Sequence, residues 1–202
     1  MSKNTKIILA VVAVFVIVIF SIISWTVGKY NTIVNMDEGV NGAWAQVQNQ
    51  YQRRMDLIPN LVSTVQGVAN FEKSTLQAVI EARAKATQIT LSPQLLNNPQ
   101  SFQQFEQSQG QLTSALSRLL VTVERYPNLK ANENFLQLQS QLEGTENRIA
   151  VERRRFNQVV QEYNAYIRSV PNNMIASFGN FQQKAYFQAQ EGAETPPKVQ
   201  FQ

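Results

Sequence analysis

From position 7 to 27 the chain reads IILAVVAVFVIVIFSIISWTV, 21 residues without a charge. At 1.5 Å per residue a helix of that length covers the roughly 30 Å hydrocarbon core of a bilayer. The stretch closes on Trp25 and Thr26 instead of a small-residue cleavage site, which favours an uncleaved anchor over a signal peptide. Beyond it the apolar positions step by three and four. Ile33, Val40, Trp44, Val47, Tyr51, Ile58, Leu61, Val65 and Val68 lie on one face of a helix over 30–68, interrupted only by Asp37 and Arg54. A second helix is predicted over 71–90, with Asn70 as its cap, and "LSPQLLNNPQ" reads as a loop. The same spacing recurs from Phe102 to Tyr126, and again from Phe135 to Val170, where Thr145 and Glu152 break the face. Alternation of the strand kind is confined to "PKVQFQ" at 197–202, so sheet content should be near zero. The expected fold is all-α: an N-terminal single-pass transmembrane helix, then an antiparallel four-helix bundle with long first and last helices. In domains this gives a tail at 1–6, an anchor at 7–28 and a bundle at 29–171. An aromatic segment at 172–202 then packs on the bundle or binds a partner.

The interruptions carry the candidate chemistry. With the first and last helices antiparallel and residue 31 level with 170, residue 54 falls level with about 147. Arg54 in one face then meets Thr145, Glu146 and Glu152 of the other. A buried guanidinium needs a partner, because an unpaired buried charge costs several kcal/mol (about 3 or more). Pro59 cannot donate to the carbonyl of Met55, and the bend it makes would bring Asp56 and Asn60 to the same layer. The expected structural polar layer is therefore Arg54, Asp56, Asn60, Thr145, Glu146 and Glu152, with register fixation preferred to a ligand pocket. Arg153, Arg154 and Arg155 are expected on the outer face of the last helix, near Arg53, as a band for an acidic partner or simply a solvated face.

Composition narrows the chemistry further. The 202 residues contain no Cys and no His. That removes disulfides, thiolate metal sites and a cysteine nucleophile, and it leaves acid–base work to Glu, Asp, Lys or Tyr. No catalytic, metal or cofactor site is read from the sequence. Of 18 Lys and Arg, Lys3 and Lys6 precede the apolar stretch, so 16 remain against 14 Asp and Glu, which gives nucleic acid no basic surface. Lys3 and Lys6 before the span, against Lys29 after it, orient the N-terminus to the cytoplasm and the domain outward.

Three blocks are specific enough to carry a resemblance. They are "AWAQVQNQYQRRMDLIPNLVSTVQGVANFE" at 43–72, "LSRLLVTVERYPNLKANENFLQLQSQLEGTENRIAVERRRFNQVVQEYNAYIRSVP" at 116–171, and "PPKVQF" at 196–201. On these the chain resembles the LemA family. The resemblance implies a bacterial membrane protein with a short tail, one span and a helical bundle, in a family without a defined biochemical role. It departs from the pattern at Asn70, Phe71 and Glu72, where a His is expected before the Glu. The function expected is that of a membrane-anchored scaffold or interaction protein of the cell envelope, not an enzyme. The alternative is a ligand-sensing bundle that signals through a separate membrane partner. The expected partners are the bilayer, through residues 7–28, and a second copy or another membrane protein, through glutamine-rich helix faces such as "QVQNQYQ".

Overall fold

The structure, a computed structural model, describes residues 3–68 and 71–188. Its first helix, α1, runs unbroken over Lys3–Gln66, 64 residues. The apolar stretch and the first core helix are thus one rod about 96 Å long. It is the one helix among the described residues that is long and apolar enough to cross a membrane. The hydroxyls of Ser21 and Thr26 within its apolar part donate to the carbonyls of Ile17 and Ile22, so neither needs water. The remaining helices are α2 (Lys73–Gln88), α3 (Pro99–Val123), α4 (Pro127–Lys130), α5 (Glu133–Arg168) and α6 (Asn172–Phe178).

Four expected helices become six, and proline is the reason. Pro127 begins the single turn of α4 after α3 has ended, and Asn132 then caps α5 by accepting from the Phe135 N–H at 3.1 Å. Pro171 halts α5, leaving α6 to start afresh. "LSPQLLNNPQ" is not a plain loop. It holds a 3₁₀ turn over Pro93–Asn97 that buries Leu95 and Leu96, and Asn98 caps α3 through the Ser101 N–H. The residue at the head of α2 is Glu72; Asn70 lies outside the described residues, as does "PKVQFQ". Among the described residues there is no strand.

The antiparallel pairing of α1 with α5 dominates the packing, and α2 pairs with α3. Lys29 sits over the Tyr166 ring, Gly39 lies against Val159, and Arg54 meets Glu146. The core has two halves. The half nearer the apolar stretch centres on Trp44, whose ring lies 5.5 to 6.1 Å from those of Phe102, Phe105, Phe156 and Phe187. The distal half joins Ile58, Leu61 and Val65 to Leu112, Leu119, Phe135 and Leu142. Pro59 stays inside the helix, and the Met55 carbonyl it leaves without an intrahelical donor accepts from Arg83 Nε of α2 at 3.2 Å.

Candidate functional site

Arg54 sits where the two core halves meet. Its side chain is 2% exposed, and the surrounding face of α1 consists of aromatic and aliphatic residues at steps of three and four. One amino group donates to Glu146 Oε1 at 2.6 Å and to Thr113 Oγ1 at 3.0 Å, the other to Gln109 Oε1, and the guanidinium lies over the Tyr51 ring at 5.1 Å. Three helices are therefore tied at one height by a charge that is almost wholly buried. The arrangement is lopsided: the Glu146 side chain is 37% exposed, so the acid stands at the rim and the base inside.

The layer is narrower than the sequence reading. Asp56 and Asn60 stand on the exposed side of α1, where Asp56 accepts from Gln52 and the Asn60 carbonyl accepts from Thr64. They lie away from the core because α1 continues as a helix through Pro59 and keeps its own face pattern. Thr145 is buried, but its hydroxyl donates to the Gln141 carbonyl at 2.7 Å. Glu152 is half-buried, and its Oε2 has no hydrogen-bond partner among the described residues. Gln109 and Thr113 complete the layer instead. Gln109 interrupts the apolar face of α3, a signal of the same kind as Arg54.

The arginine band also changes. Arg53, Arg154 and Arg155 are exposed, but Arg153 turns inward. It pairs with Glu106 at 3.2 Å, donates to the Gln188 carbonyl at 3.1 Å and lies over the Phe187 ring at 4.4 Å. What draws it in is the segment 181–188, an extended strap laid along α5. The strap follows Asn180, whose φ of 56° is a left-handed turn residue. Lys184 of the strap pairs with Asp37 of α1 at 2.8 Å, which accounts for the other charge in the α1 face. Phe187 enters the Trp44 cluster and Phe181 stands edge-on to Tyr30 at 5.4 Å, whereas Phe178 and Tyr186 remain exposed. Phe201 lies outside the described residues.

Burial holds the Glu106 carboxyl above its ordinary value, against the lowering pull of the Gln188 N–H and Arg153. Burial likewise pushes up the phenols of Tyr51 and Tyr163, the latter also raised by the Asp37 carboxylate. A phenol raised this way stays protonated at neutral pH and serves as packing.

α3 and α5 flank α1 without pairing closely, and an open groove runs between them. Three adjoining hollows mark it. The first, about 360 Å³, is lined by polar groups including Arg54, Gln103, Gln107 and Gln109. The next, about 310 Å³, has a floor of Leu61, Leu116, Leu120 and Leu142 with Ser117, Glu143 and Asn147 on its rim. The distal one, about 320 Å³, is bordered by Val121, Phe135 and Leu136.

Comparison with known proteins gives one family. The family model for the LemA family matches residues 43–201. Among curated proteins, Magnetosome protein MamQ 2 of Paramagnetospirillum magneticum is 26% identical over 203 residues, covering 93% of this chain and 75% of that protein. Protein LemA of Metamycoplasma hominis is 25% identical over 165 residues, covering 82% of this chain and 71% of that protein. Magnetosome protein MamQ of Magnetospirillum gryphiswaldense is 25% identical over 200 residues, covering 91% and 74%.

Proposed function

The chain belongs to the LemA family, and on that premise we propose that it is a single-pass scaffold of the bacterial cell envelope, holding an interaction surface at a fixed height above the membrane. The observation that carries this reading is the continuity of α1, which passes from the uncharged stretch into the centre of both core halves without a break. A domain hung on a linker would tumble; one built around its own anchor keeps its faces at set distances from the bilayer. On this reading the domain is a four-helix bundle elaborated by α4 and α6, the N-terminus is cytoplasmic, and the domain faces outward. Lys29 supports the interfacial placement, since it lies 5.9 Å from the Trp25 ring and 5.6 Å from that of Tyr166, a cation held between aromatics just past the span.

Catalysis is not part of the proposal. Arg54, Arg153 and Lys184 pair with Glu146, Glu106 and Asp37, and the tyrosines with raised phenol pKa values serve as packing. The sensor alternative needs an enclosed space that a small ligand fills, and the hollows between α3 and α5 suit an extended chain better. The partner is a second copy or another membrane protein. Two measurements test the proposal on native membranes. Protease added to intact spheroplasts should remove the domain; survival until lysis reverses the orientation. Cross-linking followed by mass spectrometry should recover a protein partner or a second copy, and a strictly monomeric chain with no neighbour overturns the scaffold reading.

A further inference from the structure

We infer that the end of the domain nearest the apolar stretch rests on the phospholipid bilayer, touching its interfacial zone through Val170, Met174 and Phe178. This rests on the reading of residues 7–27 as a membrane span. Among the described residues beyond Tyr30, the most exposed large hydrophobic side chains are Phe178 at 91%, Val170 at 81% and Met174 at 72%. Single exposed hydrophobics are ordinary on a protein surface, but these three fall within nine residues. Met174 and Phe178, four apart, share one side of α6. Ile175 and Ala176, on the other side, are buried in the Trp44 half of the core.

Height in the fold gives the patch its partner. α5 runs antiparallel to α1 and ends at Arg168, with the Tyr166 ring 5.6 Å from Lys29 Nζ. α6 begins at that height, where Asn172 Nδ2 donates to the Tyr166 carbonyl at 3.3 Å and to Ser169 Oγ at 2.9 Å. It also ends there, since Phe181, just beyond it, stands edge-on to Tyr30. α6 therefore lies across the end of the bundle. The core that Ile175 and Ala176 join begins at Ile33 and extends away from the apolar stretch. The face bearing Met174 and Phe178 is thus turned toward the level at which that stretch ends. From Val27 to Tyr30 is about 4.5 Å along α1. The headgroup zone on each side of a bilayer's hydrocarbon core is about 5 to 8 Å thick, so the patch stands at headgroup depth. Charge agrees with this placement. No Asp or Glu occurs in 3–36 or in 163–188, while Lys29 and the exposed Arg168 lie at this end. Apolar side chains flanked by cations and free of acids suit acyl chains beneath a layer of phosphates.

The test uses the full chain reconstituted in vesicles of phosphatidylcholine and phosphatidylglycerol. The absence of native cysteine lets one introduced thiol carry an environment-sensitive fluorophore. Met174→Cys and Phe178→Cys are compared with Leu136→Cys, an exposed position about 45 Å along α5 from Tyr166. Ile17→Cys, in the middle of the uncharged stretch, reports the span independently. Quenching is read with lipids spin-labelled near the headgroup or deep in the acyl chain. The shallow spin label should quench the fluorophores at 174 and 178 several-fold more than the one at 136, and the deep label should quench the one at 17. If 17 is quenched while 174 and 178 match 136, the span holds and the inference falls. An unquenched fluorophore at 17 removes the span, and the inference with it. A fluorophore at 178 that shifts to the blue without lipid quenching is covered by a second copy, which also overturns the inference.

Discussion

Removing the acid of the polar layer should hurt more than removing the base, although the two form one ion pair. Glu146→Ala leaves the Arg54 guanidinium 2% exposed with its full charge and only the neutral oxygens of Gln109 and Thr113 to meet it. Breaking a buried pair in that way costs about 3 to 5 kcal/mol. Arg54→Met replaces the guanidinium stem with apolar volume between the two core halves and leaves a carboxylate that water already reaches. Its main penalty is the buried Gln109 acceptor left without a donor, about 1 to 3 kcal/mol. The double variant Arg54→Met with Glu146→Leu removes both charges and should be more stable than Glu146→Ala alone by about 1 to 3 kcal/mol. The assay is urea denaturation of the detergent-extracted chain, followed by Trp44 fluorescence in a Trp25→Phe background. The midpoint should move while the slope stays constant, since the same surface is exposed in each case. If Arg54→Met proves as costly as Glu146→Ala, or the double variant is the least stable of the three, the assignment of base inside and acid at the rim is wrong.

Three further outcomes follow from other contacts. Phe187→Ala removes a ring from the Trp44 cluster and should cost about 3 kcal/mol; limited proteolysis should then cut within 181–188 faster than in the parent chain, and unchanged cutting refutes the strap as a packed element. Arg83→Met strips the Met55 carbonyl of its donor beside Pro59 and should cost about 1 to 3 kcal/mol by the same denaturation assay, whereas Arg118→Met, at an exposed position, should be near neutral. For Glu106 the folded pKa lies above the ordinary 4.5, so the folded state binds the proton more tightly than the unfolded one. That stabilisation is full below 4.5 and is lost as pH rises through the folded value. The stability of the parent chain relative to Glu106→Gln should therefore fall across that window, and a flat difference refutes the shift.

The helices were legible because burial leaves a periodic trace. The α1 face from Ile33 to Val65 is buried in the positions that the three-four spacing selects, apart from a half-buried Asp37. Antiparallel height counting puts residue 54 level with about 147, and in the structure Arg54 meets Glu146. What periodicity conveys poorly is polar identity. Gln109 lies in the α3 face as Arg54 does in that of α1, but an uncharged amide does not demand a partner on sight. Arg153 reads as part of a solvated run because its reason for turning inward lies 34 residues onward in Phe187. The strap has no face pattern, being held by backbone groups. Its trace is on α5 instead, in Asn157 and Asn164, seven residues apart and each next to a buried aromatic, Phe156 and Tyr163.

The charges inside this core also exclude wrong alignments. An apolar face that repeats every three or four residues lets two antiparallel helices slip by seven with little loss of burial, because seven residues restore the same faces. In the structure Arg54 and Glu146 meet at heights that sum to 200. A slip by seven in one direction would set Arg54 against Arg153, a like charge in an apolar setting; in the other it would set Arg54 against Gln139, which cannot neutralise it. Either slip also carries Asp37 away from Lys184, whose strap is fixed to α5 by Asn157 and Asn164. The native register is thus the one of the three in which both charges of the α1 face are paired, and the penalty falls on the alternatives. Since α1 carries the long apolar stretch as well as the core, a slip of α5 would shift it by about 10 Å along α1 relative to that stretch. Register and height are one variable here, which is why a charge is kept in a position where an apolar residue would pack as well.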